Sequence, residues 1–385
     1  DLAIAPYQYS QVRWTLSHLP DKWVHKLADS LPWTSRPGRE ERAAQAQEFF
    51  NLGQQLRALE RRLQVSITSV PHAEAQAQAA RREMGRVQQR RLKLQPDVEE
   101  AVESEISAVL AQERLAFWAG LTFPPVDAVF ASSPHVLVLS PRHRIERQQT
   151  ILLLPEITNE EKERIEALVF QQQNLSALVE GTGGVAVYPS VVSDYGTLRD
   201  ALVAVSHEWL HHWFFLRPLG QNFWSNSDMI TLNETAATLA SKEIGDRALQ
   251  AMTGQTGSQE PAPSMADTPS AFDFNAEMRQ TRLRVEELLA QGKVEEAERY
   301  MEERRQVIVA HGYLIRKINQ AFFAFHGTYA TSPASISPIA GQLRQLREQS
   351  KSLGDFLRTV ARFGSYQEFL DYLAATDTVP APTGP

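Results

Sequence analysis

From Thr197 to Leu216 the sequence is apolar at helical spacing, yet its middle holds His207, Glu208 and His211. A helix with that character is buried rather than laid on a surface, and a buried charge needs a partner. The chain therefore has to fold into layers that cover this helix and answer its polar centre. Thr231 to Leu249 repeats the apolar helical character after a loop marked by Pro218, Gly220 and Asn222. Two core helices are expected, the second returning antiparallel to the first.

Around that pair, Arg39 to Gln64 and Ala73 to Trp118 are rich in Ala, Glu, Gln, Arg and Leu with apolar residues at helical spacing, which predicts an N-terminal helical hairpin. Pro96 with Asp97 can restart its second helix. The cations Arg81, Arg82, Arg86, Arg90, Arg91 and Lys93 read as a solvated helix face, since no aromatic residues interleave them. After Gly120 the pattern changes. Val126 to Ala131, His135 to Ser140, Thr150 to Pro155 and Gly184 to Tyr188 are short branched apolar runs bounded by Pro, Ser and Gly. They read as four strands of one small mixed sheet, with a helix from Asn159 to Leu178 between the third and fourth. Helical patterning returns from Phe272 to Phe325, broken near Gly292, and shorter helices follow from Leu343 to Leu373.

The fold class expected is α+β and mostly helical. Its divisions are an accessory helical region over 1–119, a core of sheet and motif over 120–252, and a flexible loop over 253–271 rich in Gly, Pro, Ser and Thr. A C-terminal helical region over 272–375 closes a cleft, and a disordered tail follows over 376–385.

Among the 385 residues there is no cysteine, which excludes a disulfide framework, thiolate metal sites, iron–sulfur clusters and a cysteine nucleophile together. Any metal must be held by His, Asp or Glu. A formal charge of −7 argues against a nucleic-acid binder with an all-basic surface, and no apolar run approaches the roughly 20 residues that span a bilayer. The chain opens on Asp1 rather than Met. That reads as a processed or trimmed end, with membrane association expected only through an anchor upstream of Asp1. Localisation stays open between a membrane-anchored protein outside the cytoplasm of a bacterium and a cytoplasmic one.

His207, Glu208, Trp209, Leu210 and His211 form H-E-x-x-H. Residues four apart stack on one helical face, so both imidazoles can bind one Zn²⁺, while Glu208 projects beside the metal where it can take a proton from bound water. The pattern arises by accident in roughly one or two chains per hundred of this length; its setting in an apolar helix gives it weight. A catalytic zinc site needs a third protein ligand and an open fourth position. Glu234, in Asn233-Glu234-Thr235-Ala236-Ala237 on the second core helix, is the candidate. Asn233, Asp228 and Glu243 are candidates for orienting a zinc histidine. His212, about 100° around the helix from His211, is expected beside the site or on the surface rather than on the metal. Trp209, Trp213, Phe214, Phe215 and Trp224 are expected in the core. No G-x-S-x-G or Walker pattern supports serine or phosphate-loop chemistry.

H-E-x-x-H at 207–211 followed by N-E-x-x-A at 233–237 resembles the gluzincin class of zinc metallopeptidases, which includes thermolysin and the aminopeptidase N-like enzymes. His207 to Phe214 with Leu232 to Ala237 looks closest to the latter. Asn319-Gln320-Ala321, Phe323 and Thr328-Tyr329 are similar to a stretch in bacterial proteins catalogued as candidate aminopeptidases. The resemblance implies a thermolysin-like core in which two zinc-bearing helices meet a small mixed sheet, a cofactor of one Zn²⁺ per chain, and a peptide or protein as substrate. It implies His207, His211 and Glu234 as ligands and Glu208 as general base. Tyr329, at a helix end before a Ser- and Pro-rich loop, is the candidate oxyanion donor, with His326 and Tyr313 as alternates. Gly184, Val185, Ala186 and Val187 are the candidate edge strand for an extended peptide. Two positions depart from the class. Thr238 stands where thermolysin-like members carry an acidic residue, and Gly183 to Val187 lack the glutamate that holds a free amine in the aminopeptidases. Two other readings are a non-catalytic helical scaffold or binding module with a structural metal, and a zinc amidohydrolase acting on a non-peptide amide.

Overall fold

A computed structural model describes residues 4–18, 38–67, 73–116, 122–255 and 272–377. The loop expected over 253–271 and the tail expected over 376–385 lie outside these residues, apart from 253–255 and 376–377. The chain is mostly helical with a small β component, an α+β fold. No described helix is long and apolar enough to cross a membrane.

Helices α1 (Arg39–Ile67) and α2 (Ala73–Gln112) form the expected hairpin. Pro96 does not restart α2, because the helix runs through it unbroken. Leu94 and Val98, on either side of the proline, are both seated in the main core, and that packing outweighs the backbone hydrogen bond a proline forfeits. Arg81, Arg82, Arg86, Arg90 and Lys93 are exposed. Arg91 is not: it is buried, with its guanidinium 4.3 Å from the Phe49 ring centroid and an ion pair to Asp194 at 2.9 Å. Phe49, Phe50, Val102 and Ile106 of the hairpin share one hydrophobic cluster with the two core helices. The hairpin is thus part of the main core.

Among the described residues there are six strands rather than four: β1 (Ala128–Ala131), β2 (His135–Pro141), β3 (Gln149–Leu153), β4 (Leu175–Gly181), β5 (Gly184–Val185) and β6 (Ser190–Ser193). They form two three-stranded sheets instead of one. The order β3-β2-β4 is antiparallel throughout, and only the order β1-β6-β5 is mixed, with β1 parallel to β6 and β5 antiparallel to it. The differences from expectation have local causes. Helix α3 (Asn159–Gln173) stops at Asn174, which takes the left-handed conformation at φ 53°, a favoured helix ending for Asn. Leu175 to Leu178 then belong to β4, not to the helix. The strand expected from Gly184 to Tyr188 pairs only over Gly184–Val185, because the Val187 N–H turns back to the Val185 carbonyl at 2.8 Å. A three-residue turn of that kind ends a strand.

Helices α4 (Leu198–Phe215) and α5 (Ser227–Thr253) are the two expected core helices. They cross closely at Gly245, where a Cβ would lie 2.6 Å from Val203 Cγ2 and 2.9 Å from the Val203 nitrogen. Only glycine admits that approach, and Arg199 pins it with two bonds to Asp246 at 2.6 and 3.1 Å. Helices α6 (Phe274–Ala290), α7 (Val294–Ala310) and α8 (Gln320–His326) pack on Val136 and Val138 of β2, while Leu137 and Leu139 face α3. With both faces covered, β2 reads as a continuous apolar run. The N-terminal segment pairs along the outer edge of β3, the Tyr9 N–H donating to the Leu152 carbonyl at 2.9 Å and the Leu154 N–H to the Tyr7 carbonyl at 2.8 Å. The short helix over 11–18 follows, and its Trp14 Nε1 donates to the Pro189 carbonyl at 3.0 Å.

Candidate metal centre

A capping box fixes the start of α4: the Thr197 hydroxyl accepts from the Asp200 N–H, and the Asp200 carboxylate accepts from the Thr197 N–H at 2.8 Å. From there the helical period sends Ala201, Val205, Trp209 and Phe214 into the core and leaves His207 and His211 one turn apart on the same face, their rings edge-on. Helix α5 is capped by Asn226, whose side chain accepts from the Met229 N–H at 2.9 Å, and about two turns on it carries Asn233 and Glu234.

The Nε2 atoms of His207 and His211 are 3.0 Å apart, and each lies 3.4 Å from Glu234 Oε2. That oxygen is buried and makes a hydrogen bond to neither ring. The tautomer of His211 follows from its neighbour. Asn233 Nδ2 donates to the Leu219 carbonyl at 3.5 Å, which leaves Oδ1 facing His211 Nδ1 at 3.0 Å. An amide oxygen only accepts, so Nδ1 carries the proton and, in the neutral ring, the Nε2 lone pair faces the cluster. Lone pairs and a carboxylate oxygen thus converge on one point, an arrangement that a cation satisfies. Among the described residues, His207, His211 and Glu234 are the group whose geometry can hold a metal. Two imidazoles and one carboxylate suit zinc with a position left for water. A proton can serve in the same place: burial alone would lower the His211 pKa, but the Glu234 charge outweighs it and lifts it to about 9. Burial likewise works against the Glu234 carboxylate, yet His211 and His207 hold its pKa far below the usual range.

Glu208 stands one residue round the helix and faces β5. A Cβ on Gly184 would come within 2.6 Å of Glu208 Oε1, so glycine is what lets the strand reach this carboxylate. Burial pushes the Glu208 carboxyl up from the ordinary range, opposed by the charges of His207 and His211. That direction suits a general base working near neutral pH. Tyr329, just beyond α8, stands edge-on to Phe325 with ring centroids 6.2 Å apart. The adjacent Glu234 charge, then burial, lifts its phenol well above the ordinary value, so the hydroxyl stays a proton donor. The Ala330 N–H donates to Thr235 Oγ1 at 3.0 Å, which ties the Tyr329 loop to α5 beside Glu234.

Of the four candidate strand residues, Gly184 and Val185 lie on the outer edge of the mixed sheet, Ala186 is exposed beyond it, and Val187 is buried. His212 is not a metal-facing residue. Its ring bonds to the backbone of Ala186 and Val187, packs edge-on to Tyr188 at 5.7 Å, and is held by burial at a pKa of about 4. Asn233 is the orienting partner of His211, whereas Glu243 is committed to Arg247 and Arg347 and Asp228 lines a neighbouring cleft. Trp209, Trp213 and Phe214 are core, but Phe215 and Trp224 are 70% and 65% exposed. The alternates Tyr313 and His326 pack on Phe274 and Phe322.

The neighbouring cleft, of about 880 Å³, has in its wall Thr231, one turn before Glu234, and Thr328, next to Tyr329. Arg147 and Trp224 also line it. Arg147 had a signal in the sequence, the cations Arg142, Arg144 and Arg147 crowded between two strand-like runs. Compared with protein-family models, with curated proteins and with solved structures, the chain finds no match.

Proposed function

We propose that the protein is a zinc-dependent peptidase of gluzincin type with a thermolysin-like arrangement of its two metal helices. The observation that carries the reading is the convergence of His207 Nε2, His211 Nε2 and Glu234 Oε2, with the Glu208 carboxylate buried beside them. His207, His211 and Glu234 would hold a zinc ion, which when bound would lower the pKa of its water toward about 7 and act as a Lewis acid toward a carbonyl. Glu208 takes the proton of the attacking water and passes it to the leaving amine. The Tyr329 hydroxyl donates to the oxygen on which negative charge develops. An extended peptide pairs its backbone with the outer edge at Gly184–Val185, which leaves side-chain selectivity to the cleft.

The test is digestion of a proteome-derived peptide library by the zinc-loaded protein, read by mass spectrometry with and without a chelator. New termini that vanish with the chelator are expected. Their absence in both arms would leave a binding module with a structural metal, or an amidase for a non-peptide amide.

Two variants probe the supporting residues. Gly184→Ala is expected to keep zinc and lose about a hundredfold in kcat, since its methyl displaces the Glu208 carboxylate and misplacement by about an ångström costs that much. Metal analysis beside steady-state kinetics checks it, and an unchanged kcat would show that the carboxylate gives way freely. Tyr329→Phe should lower kcat by roughly a hundredfold with KM and zinc content little changed. If it turns over normally while His326→Ala or Tyr313→Phe does not, the donor lies elsewhere.

A further inference from the structure

Two cations line the cleft beside the metal centre, Arg147 and Arg282. Arg282 is committed, pairing with Glu286 and donating to the Phe323 carbonyl at 3.0 Å. Arg147 is held differently. Its Nε donates to Thr150 Oγ1 at 2.8 Å, and its guanidinium carbon sits 5.6 Å from the ring centroids of both Trp224 and Phe325. Nη1 is buried and has no hydrogen-bond partner. The acidic residues of the cleft wall are Glu146 and Asp228. Glu146 pairs with Arg144, and neither forms an ion pair with Arg147 among the described residues.

A buried guanidinium N–H without a partner costs stability, and this one belongs to a side chain that lines the cleft. The rings of Trp224 and Phe325 flank the guanidinium and Thr150 holds its Nε, so the group is restrained before a planar anion arrives. Phe325 in turn packs edge-on to Tyr329, which places the cation next to the proposed chemistry.

We propose that Arg147 receives a carboxylate carried by the peptide close to its scissile bond, either the C-terminal carboxylate or an acidic side chain. This rests on the peptidase reading and adds its substrate class: short peptides with a free end, or peptides with Asp or Glu near the cut.

Three N-blocked tetrapeptides of the same apolar sequence separate the sources: one ends in a free carboxylate, one in a carboxamide, and one in a carboxamide with a Glu in place of one residue. Their affinities are measured by calorimetry on zinc-loaded Glu208→Gln protein, full chain, and their hydrolysis on zinc-loaded wild type. A carboxylate-bearing peptide is expected to bind about tenfold or more tighter than the plain amide, as a hydrogen bond to a charged group provides. The favoured peptide tells which carboxylate is read. In the Arg147→Gln background that preference is expected to fall to about one, and Arg147→Lys to restore part of it. A purely structural role for Arg147 would weaken all three peptides alike and leave the ratio in place.

Equal affinity for all three in the parent, a preference that survives Arg147→Gln, or no binding of any of them overturns the inference. Preferential binding with no hydrolysis by wild type would sustain Arg147 and sink the peptidase reading, while hydrolysis with no preference would do the reverse.

Discussion

Glu208→Gln is expected to keep its zinc and to lose on the order of a thousandfold or more in kcat, the loss that follows deletion of a positioned general base together with its proton relay. The substitution is nearly isosteric. It leaves His207, His211 and Glu234 untouched, and the amide occupies the same buried place against Gly184. What it removes is basicity: an amide cannot take the proton of water. Zinc content and kcat measured on the same preparation check the split, and undiminished hydrolysis would show that another group activates the water.

His211→Ala and Glu234→Ala are expected to lose the metal itself. Each leaves two of three donors, and each also disturbs what remains: the first strands Asn233 Oδ1, and the second removes the charge that faces both imidazoles at 3.4 Å. The stability of the wild type should depend on zinc, since a ligand at a thousandfold excess over its Kd stabilises the native state by about 4 kcal/mol. Thermal melts with and without added zinc should therefore separate for the wild type and coincide for the two variants. Full zinc occupancy in both variants would dismiss this ligand set.

The helical part of this molecule was largely legible because its periodicity is long. Ala201, Val205, Trp209 and Phe214 repeat over enough turns to declare a buried helix, and the H-E-x-x-H spacing is visible on it. Glu234 stood out in the sequence through its Asn233-Glu234-Thr235-Ala236-Ala237 setting on an apolar helix that returns after His211. The β part was harder to read. Ser190–Ser193 is too short for alternation to emerge, although it is the central strand of its sheet. At Asn174 the left-handed ending was written in the residue type, but Leu175 to Leu178 continue an apolar run that suits either state. Arg147 lay beyond periodicity altogether, because its significance comes from Trp224, some eighty residues away, and from an atom with no partner.

Trp14 and Pro189, joined by one hydrogen bond, are separated by 175 positions along the chain. Contacts of such sequence distance form after local ones, since closing a long loop costs entropy before it returns any contact energy. The elements that carry the His207, His211 and Glu234 cluster are far closer neighbours, with His211 and its partner Asn233 only 22 positions apart. Assembly of the molecule is therefore expected to be staged. The pair of helices can meet and bring His207, His211 and Glu234 together while the Gly184–Pro189 segment still waits for the N-terminal residues to arrive and brace it. On the proposed function, a chain paused between those stages would hold the ion yet be unable to seat a peptide, so metal uptake is expected to precede peptide binding when the two are followed during refolding.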